Sequence, residues 1–148
     1  MPNTRRHFIA AGSALSLCTL AAPTWAQASK GRKIVLGQSV PLTGAASEIG
    51  LAFAAGAKLY VDAFNARKNN PGWNFELRQL DDGYNPAKAT ENAKKLLADG
   101  ADVLFGFVGT GSSDAGAAVA KQDGAIFFGP FAAADTLRDA TQTHRSEE

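Results

Sequence analysis

Apolar and polar positions change their spacing several times along the chain after residue 32, and each change marks an element. Lys33-Ile34-Val35-Leu36-Gly37-Gln38-Ser39 is a short, mostly apolar run ending in small polar residues, which predicts a buried strand. Pro41, Thr43 and Gly44 form the following loop. From Ser47 the spacing becomes three and four residues through Ile49, Phe53, Leu59 or Tyr60, Ala63 and Phe64. That is the stripe of a helix packed on a sheet. Asn69-Asn70-Pro71-Gly72 ends it. Trp73 to Asp81 alternates through Phe75, Leu77 and Leu80 and predicts a second strand, closed by the turn Asp81-Asp82-Gly83. Asn85 is placed to cap a helix with Pro86 at its first position, Lys88 to Ala98 continues it, and Gly100 ends it. Asp102 to Val108 reads as a third, buried strand, Asp114 to Lys121 as an Ala-rich helix stopped by Gly124, and Ala125 to Phe128 as a fourth strand. A short helix is expected over Asp135 to Asp139, and residues 140–148 read as a disordered tail.

The order β-α-β-α-β-α-β with apolar strands predicts an α/β fold: a parallel, Rossmann-like sheet with helices on both faces. There is no internal repeat. Composition fits an ordinary globular chain, with 45% hydrophobic and 20% charged residues among 148, and so excludes collagen-like, coiled-coil and wholly disordered readings. A net charge of +1 argues against nucleic acid as a partner.

The first 28 residues have the grammar of an export signal. Arg5 and Arg6 are basic, Phe8 to Ala22 is apolar, and Ala26-Gln27-Ala28 offers a small-x-small cleavage site. Thr4-Arg5-Arg6-His7-Phe8-Ile9 also resembles a twin-arginine motif, with a plain Sec signal as the alternative. The expectation is a signal peptide over 1–28 and an exported domain over 29–139. Cys18 is the single cysteine and lies inside the signal, so the exported chain has no thiol for a disulfide, a nucleophile or a metal.

In such sheets ligands sit beyond the carboxyl ends of the strands. Three loops are candidates there: Pro41–Ser47, Gly109–Ser113 and Pro130–Ala134. In the middle one, Gly109 and Gly111 permit close approach of a ligand, Thr110, Ser112 and Ser113 offer hydroxyls, and the next helix presents free N–H groups. Together they suit a carboxylate or a phosphate. The alternative is that Ser112 or Ser113 only caps the helix and the glycines only make a tight turn. No Gly-Lys-Ser/Thr follows, and Asp114 breaks the dinucleotide-binding spacing. Asp81 and Asp82 point to opposite sides of a strand end, so they predict a turn rather than an acid–base pair. Trp73 and Tyr84 could stack on a ligand, but at strand and turn edges such residues are more often ordinary packing. His144 is the only histidine after the signal and lies in the tail. No convergent catalytic or metal-binding set is present, so the sequence predicts no enzyme, no metal and no cofactor.

Four segments then carry a resemblance. Gly37-Gln38-Ser39-Val40-Pro41-Leu42-Thr43-Gly44, Asp81-Asp82-Gly83-Tyr84-Asn85-Pro86, Gly106-Phe107-Val108-Gly109-Thr110 and Phe128-Gly129-Pro130-Phe131 resemble the leucine/isoleucine/valine-binding family, the type I periplasmic solute-binding proteins of ABC transporters. The resemblance covers about residues 33–139. It implies a bilobed receptor that closes on a small solute and presents it to a membrane permease. It implies that Thr110, with Gly109 and Gly111 around it, binds the ligand's carboxylate, and that Phe131 and Ala133 contact its ammonium or carboxylate. Ile49 falls where leucine binders often place an aromatic ring, and Ala133 where a threonine is common. These two departures widen the expected solute from branched-chain amino acids to an amino acid or another small carboxylate or amide-bearing molecule. An extracellular sensor domain of the same fold, feeding a signalling partner, is the alternative. The resemblance further implies a chain about three times as long. The expectation is therefore a partial N-terminal lobe from a truncated gene product or partial sequence, carrying half a ligand site and binding weakly on its own.

Overall fold

A central strand in a parallel sheet must be apolar on both faces, and β1 (Lys33–Val40) meets that demand, with residues 37–40 wholly buried. It pairs in parallel with β2 (Asn74–Asp81) on one side and with β3 (Val103–Phe105) on the other. β4 (Ile126–Phe128) adds beyond β3, giving the order β2-β1-β3-β4 with every pairing parallel. The expected α/β sheet is what forms. This computed structural model describes residues 31–69, 72–133 and 135–138. The export signal with Cys18, the breaker residues 70–71 and the tail with His144 lie outside the described residues.

α2 (Pro86–Ala98) and α3 (Thr110–Asp123) cover one face, and α1 (Ser47–Asn65) lies on the other. The main core is on the two-helix side, where Val35, Leu104 and Phe127 from the strands meet Ala93 and Leu96 of α2 and Ala117 and Ala120 of α3. Asn85 caps α2 as its sequence predicts, accepting from the N–H of Ala87 at 2.9 Å and of Lys88 at 3.4 Å. A 3-10 turn, Asp135–Arg138, sits where the last short helix was expected.

Three expectations need correction. The buried face of α1 is Gly50, Ala54 and Val61, whereas Ile49, Leu59 and Tyr60 are 54%, 72% and 64% exposed. Close approach of the helix to the β1–α1 loop selects small residues there. A Cβ on Gly50 would lie 1.9 Å from the Pro41 carbonyl oxygen. The third strand is shorter than Asp102–Val108, because Gly106 turns the chain (φ +62°) beneath the Phe53 ring and the Gln38 amide, whose Nε2 donates to the Gly106 carbonyl at 3.3 Å. And α3 starts at Thr110 rather than Asp114, so most of the expected Gly109–Ser113 loop is the first turn of a helix.

Candidate functional site

The strand order reverses direction between β1 and β3: the chain leaves β1 toward β2 but leaves β3 toward β4. The loops at that switch point diverge and leave a crevice beyond the carboxyl ends of the strands. Asp81, the last residue of β2, fixes one wall. Its carboxylate accepts from Leu42 N at 2.8 Å, Thr43 N at 3.1 Å, Thr43 Oγ1 at 2.6 Å and Gly83 N at 2.9 Å. The Thr43 hydroxyl and these amides hold its pKa down at about 2, against a smaller opposing effect of burial.

Asp82 faces inward and is fully buried. It accepts from Ser39 Oγ and from Tyr84 N, each at 2.8 Å, and also from the Ser112 hydroxyl. Asn92 Nδ2 donates in turn to Ser39 Oγ at 3.1 Å. One carboxylate thereby joins the end of β1, the β2–α2 turn and the first turn of α3. Burial pushes its pKa up, partly offset by those hydrogen bonds. The pair does not converge and serves the turn, as its sequence suggests.

Gly109 precedes α3 with φ +89°, and a Cβ there would lie 2.4 Å from the Tyr84 ring. Tyr84 itself holds the one positive φ (+63°) of a non-glycine among the described residues. Neither serine caps the helix: both are buried, and Ser113 Oγ donates back to the Phe107 carbonyl at 3.2 Å. The first intrahelical bond runs from Ser113 N to Gly109 O at 2.9 Å, which leaves the N–H groups of Thr110, Gly111 and Ser112 ahead of the helical ladder. The loop after β4 is strapped alongside. Phe131 N donates to Phe107 O at 2.8 Å, Gly109 N donates to Phe131 O at 3.0 Å, and the Phe131 ring packs 5.5 Å from that of Phe53.

These loops enclose a depression of about 490 Å³. It brings together Ile49, Gly109, Thr110, Phe131 and Ala133 from the sequence prediction, and adds Ala46, Tyr84, Val108, Pro130 and Ala132. Gly111 is not in the lining, because it abuts Pro86 of α2, whose Cγ would lie 2.7 Å from an added Cβ. Tyr84 is the residue for which sequence reasoning favoured packing over a stacking role; its place in the Asp-Asp-Gly-Tyr turn after a strand was the available signal. The walls are apolar apart from the Thr110 hydroxyl, the Tyr84 phenol and the helix terminus, and no charged side chain lines them. A larger groove of about 690 Å³ lies between α1 and β2 beside Lys33, Lys58 and Glu76, away from the strand ends where the loops and helix N-termini converge. Among the described residues no group of three His, Cys, Asp or Glu side chains could hold a metal, and no helix is long and apolar enough to cross a membrane.

Residues 33–146 match the periplasmic binding protein family. The fold is similar to that of a possible leucine/isoleucine/valine-binding protein from Rhodopirellula baltica SH 1, with 30% identity and a TM-score of 0.70 over 76% of this chain and 31% of that one. It is similar to the branched-chain amino acid transporter substrate-binding protein LivJ of Streptococcus pneumoniae, solved with isoleucine, at 25% identity and TM-score 0.70 over 77% of this chain and 33% of that one. A solute-binding protein of an ABC transporter from R. palustris, solved with benzoate, gives 29% identity and TM-score 0.54 over 66% of this chain and 27% of that one. The chain thus spans about a third of the length of these relatives. No curated protein matches it.

Proposed function

The chain belongs to the periplasmic binding protein family, and from that premise we propose that it serves outside the cytoplasm as the solute-binding part of an ABC importer. The solute is a small carboxylate on an apolar body, an amino acid or a simple organic acid, and the partner that receives it is a membrane permease. Export through residues 1–28 belongs to the same reading, as does the lack of any catalytic role.

The observation that carries this reading is the N-terminus of α3 opening into an apolar depression, with the Thr110 hydroxyl beside it. A helix N-terminus carries about half a unit of positive charge and unsatisfied N–H donors. In walls with no charged side chain it is the strongest electrostatic feature available to an anion. Isoleucine and benzoate, the ligands of two similar proteins, share only a carboxylate and an apolar body. Ile49, Phe131 and Ala133 are suited to the apolar body, and Thr110 to the carboxylate.

An amide-resolved NMR titration of the purified chain with benzoate, isoleucine and the neutral analogue benzamide tests the reading. Shifts should concentrate at Gly109 to Ser112 and Phe131 to Ala133, and benzamide should bind about tenfold more weakly, the equivalent of ~1.4 kcal/mol. Thr110→Val should remove about 1–3 kcal/mol of carboxylate affinity in a full-length binding protein carrying this loop. Equal binding of benzamide and benzoate, or shifts scattered over the surface, would discard the carboxylate assignment.

A further inference from the structure

Asp82 lies beneath the depression and outside its lining, and it is the one fully buried ionisable side chain among the described residues. A buried carboxylate needs hydrogen-bond donors, and those of Asp82 come from three segments. Ser39 Oγ at the end of β1 and Tyr84 N in the β2–α2 turn each donate at 2.8 Å, and the Ser112 hydroxyl donates from the first turn of α3. Its backbone is engaged as well: Asp82 N donates to Val40 O at 3.1 Å, and Asn85 N donates to Asp82 O at 3.0 Å. The bond to Tyr84 N supports the positive φ of that residue, whose ring lies against Gly109. Two walls of the depression, Tyr84 and the start of α3, are thus held by a group that lines neither. Ser112 is engaged twice. Its N–H is one of the three ahead of the helical ladder, and its hydroxyl is bound to Asp82. A carboxylate received by those N–H groups is therefore separated from the Asp82 carboxylate by a single residue, and two like charges that close repel.

We propose that Asp82 is the positioning residue of this site: through Ser112 and Tyr84 it fixes the shape that receives a carboxylate, while its negative charge behind the α3 terminus weakens the hold on that carboxylate. The assignment rests on the reading of the α3 terminus as the carboxylate site. Shape and charge are separable, because asparagine retains the first and lacks the second. Its Oδ1 accepts from Tyr84 N, and its Nδ2 donates to serine hydroxyls, which carry lone pairs as well as a hydrogen. Alanine removes both. Protonation of Asp82 acts as asparagine does. Burial favours the neutral acid, opposed by the Ser39 and Tyr84 hydrogen bonds and aided by the charge of Asp81. The other elements packed around it present neutral groups: Ser39 from β1, Ser112 from α3 and, through Ser39, Asn92 from α2. Asp81, held at about 2, stays charged throughout the range above pH 5.

The test is the affinity of the purified 148-residue chain for benzoate, read from amide shifts at Gly109 to Ser112, and compared with Asp82→Asn, Asp82→Ala and Ser112→Ala. At about pH 7.5, Asp82→Asn should bind about threefold more tightly, whereas Asp82→Ala and Ser112→Ala should each bind about threefold more weakly. Between about pH 7.5 and pH 5 benzoate stays largely ionised. Over that range the affinity of the unsubstituted chain should rise about twofold, and that of Asp82→Asn should stay constant. A purely structural role would instead make every variant bind more weakly and would leave no pH dependence for asparagine to remove. Should Asp82→Ala fail to fold, Asp82→Asn and Ser112→Ala decide the matter between them. Equal or weaker binding by Asp82→Asn, or a pH dependence that survives in it, would overturn this proposal alone. No benzoate binding by any form at any pH would overturn it together with the carboxylate reading on which it rests.

Discussion

Asp81 spreads its carboxylate over three amides and one hydroxyl, while its neighbour Asp82 is buried under the same turn, and the two titrate in opposite senses. Asp81 has its pKa depressed from 3.8 to about 2. Its contribution to stability is therefore complete above pH ~4 and is lost as pH falls through about 2. Asp82 has its pKa raised, so the fold binds its proton more tightly than the unfolded chain does. Its contribution is present at low pH and declines as pH rises from 3.8 through the raised value. Amide exchange, corrected for intrinsic rates, should show Leu42 and Thr43 protected at pH 5 and released near pH 2, and Asp81→Ala should release them at both. Protection indifferent to Asp81 would refute the anchoring role. The turn at these aspartates was legible in the sequence, since Asp-Asp-Gly is turn chemistry. The place of Tyr84 against Gly109 was not, because it depends on a positive φ and on a loop 25 residues away in the chain.

The ends of α2 followed local rules closely. Gly100 closes α2 in a Schellman arrangement, with Ala101 N donating to Leu96 O and Gly100 N to Leu97 O, both at 2.9 Å. Its φ is +87° and a Cβ there would meet nothing within 4 Å. Gly100→Ala should therefore cost about 1–2 kcal/mol from backbone strain alone. Gly56, in the middle of α1 and also facing open space, invites the opposite outcome. Gly56→Ala should add about 0.5–1 kcal/mol, since alanine loses less conformational entropy in a helix. Urea unfolding of both variants checks the pair, and the same sign in each would contradict it. The face of α1 was less legible. Its largest apolar residues suggested the buried stripe, yet Gly50 is what the close approach to Pro41 admits, Ala54 packs with Val40 and Val108, and Leu59 and Tyr60 were left outside.

At the scale of the molecule, the residues lining the depression come from the loops at the carboxyl ends of the strands and the first turns of α1 and α3, all at one end of the sheet, so a solute bound there keeps its far face in water. The dissociation constant of this chain for benzoate or isoleucine should accordingly lie in the millimolar range, about 4 kcal/mol of binding, and calorimetry giving a submicromolar value would contradict a one-sided site. The sequence by itself determined the order of elements, their parallel pairing and the caps of α2, because hydrophobic period, prolines, glycines and caps act within a few residues. Loop composition also made Thr110 a candidate, whereas Phe131, Ala133 and Ile49 entered through the family resemblance alone. Only the tertiary structure decided that β1 lies inside the sheet, that Asp82 joins three segments beneath the crevice, and that Gly111 packs on Pro86. Those facts depend on contacts between residues distant in sequence, and such contacts are set by how the elements pack, which no local pattern encodes.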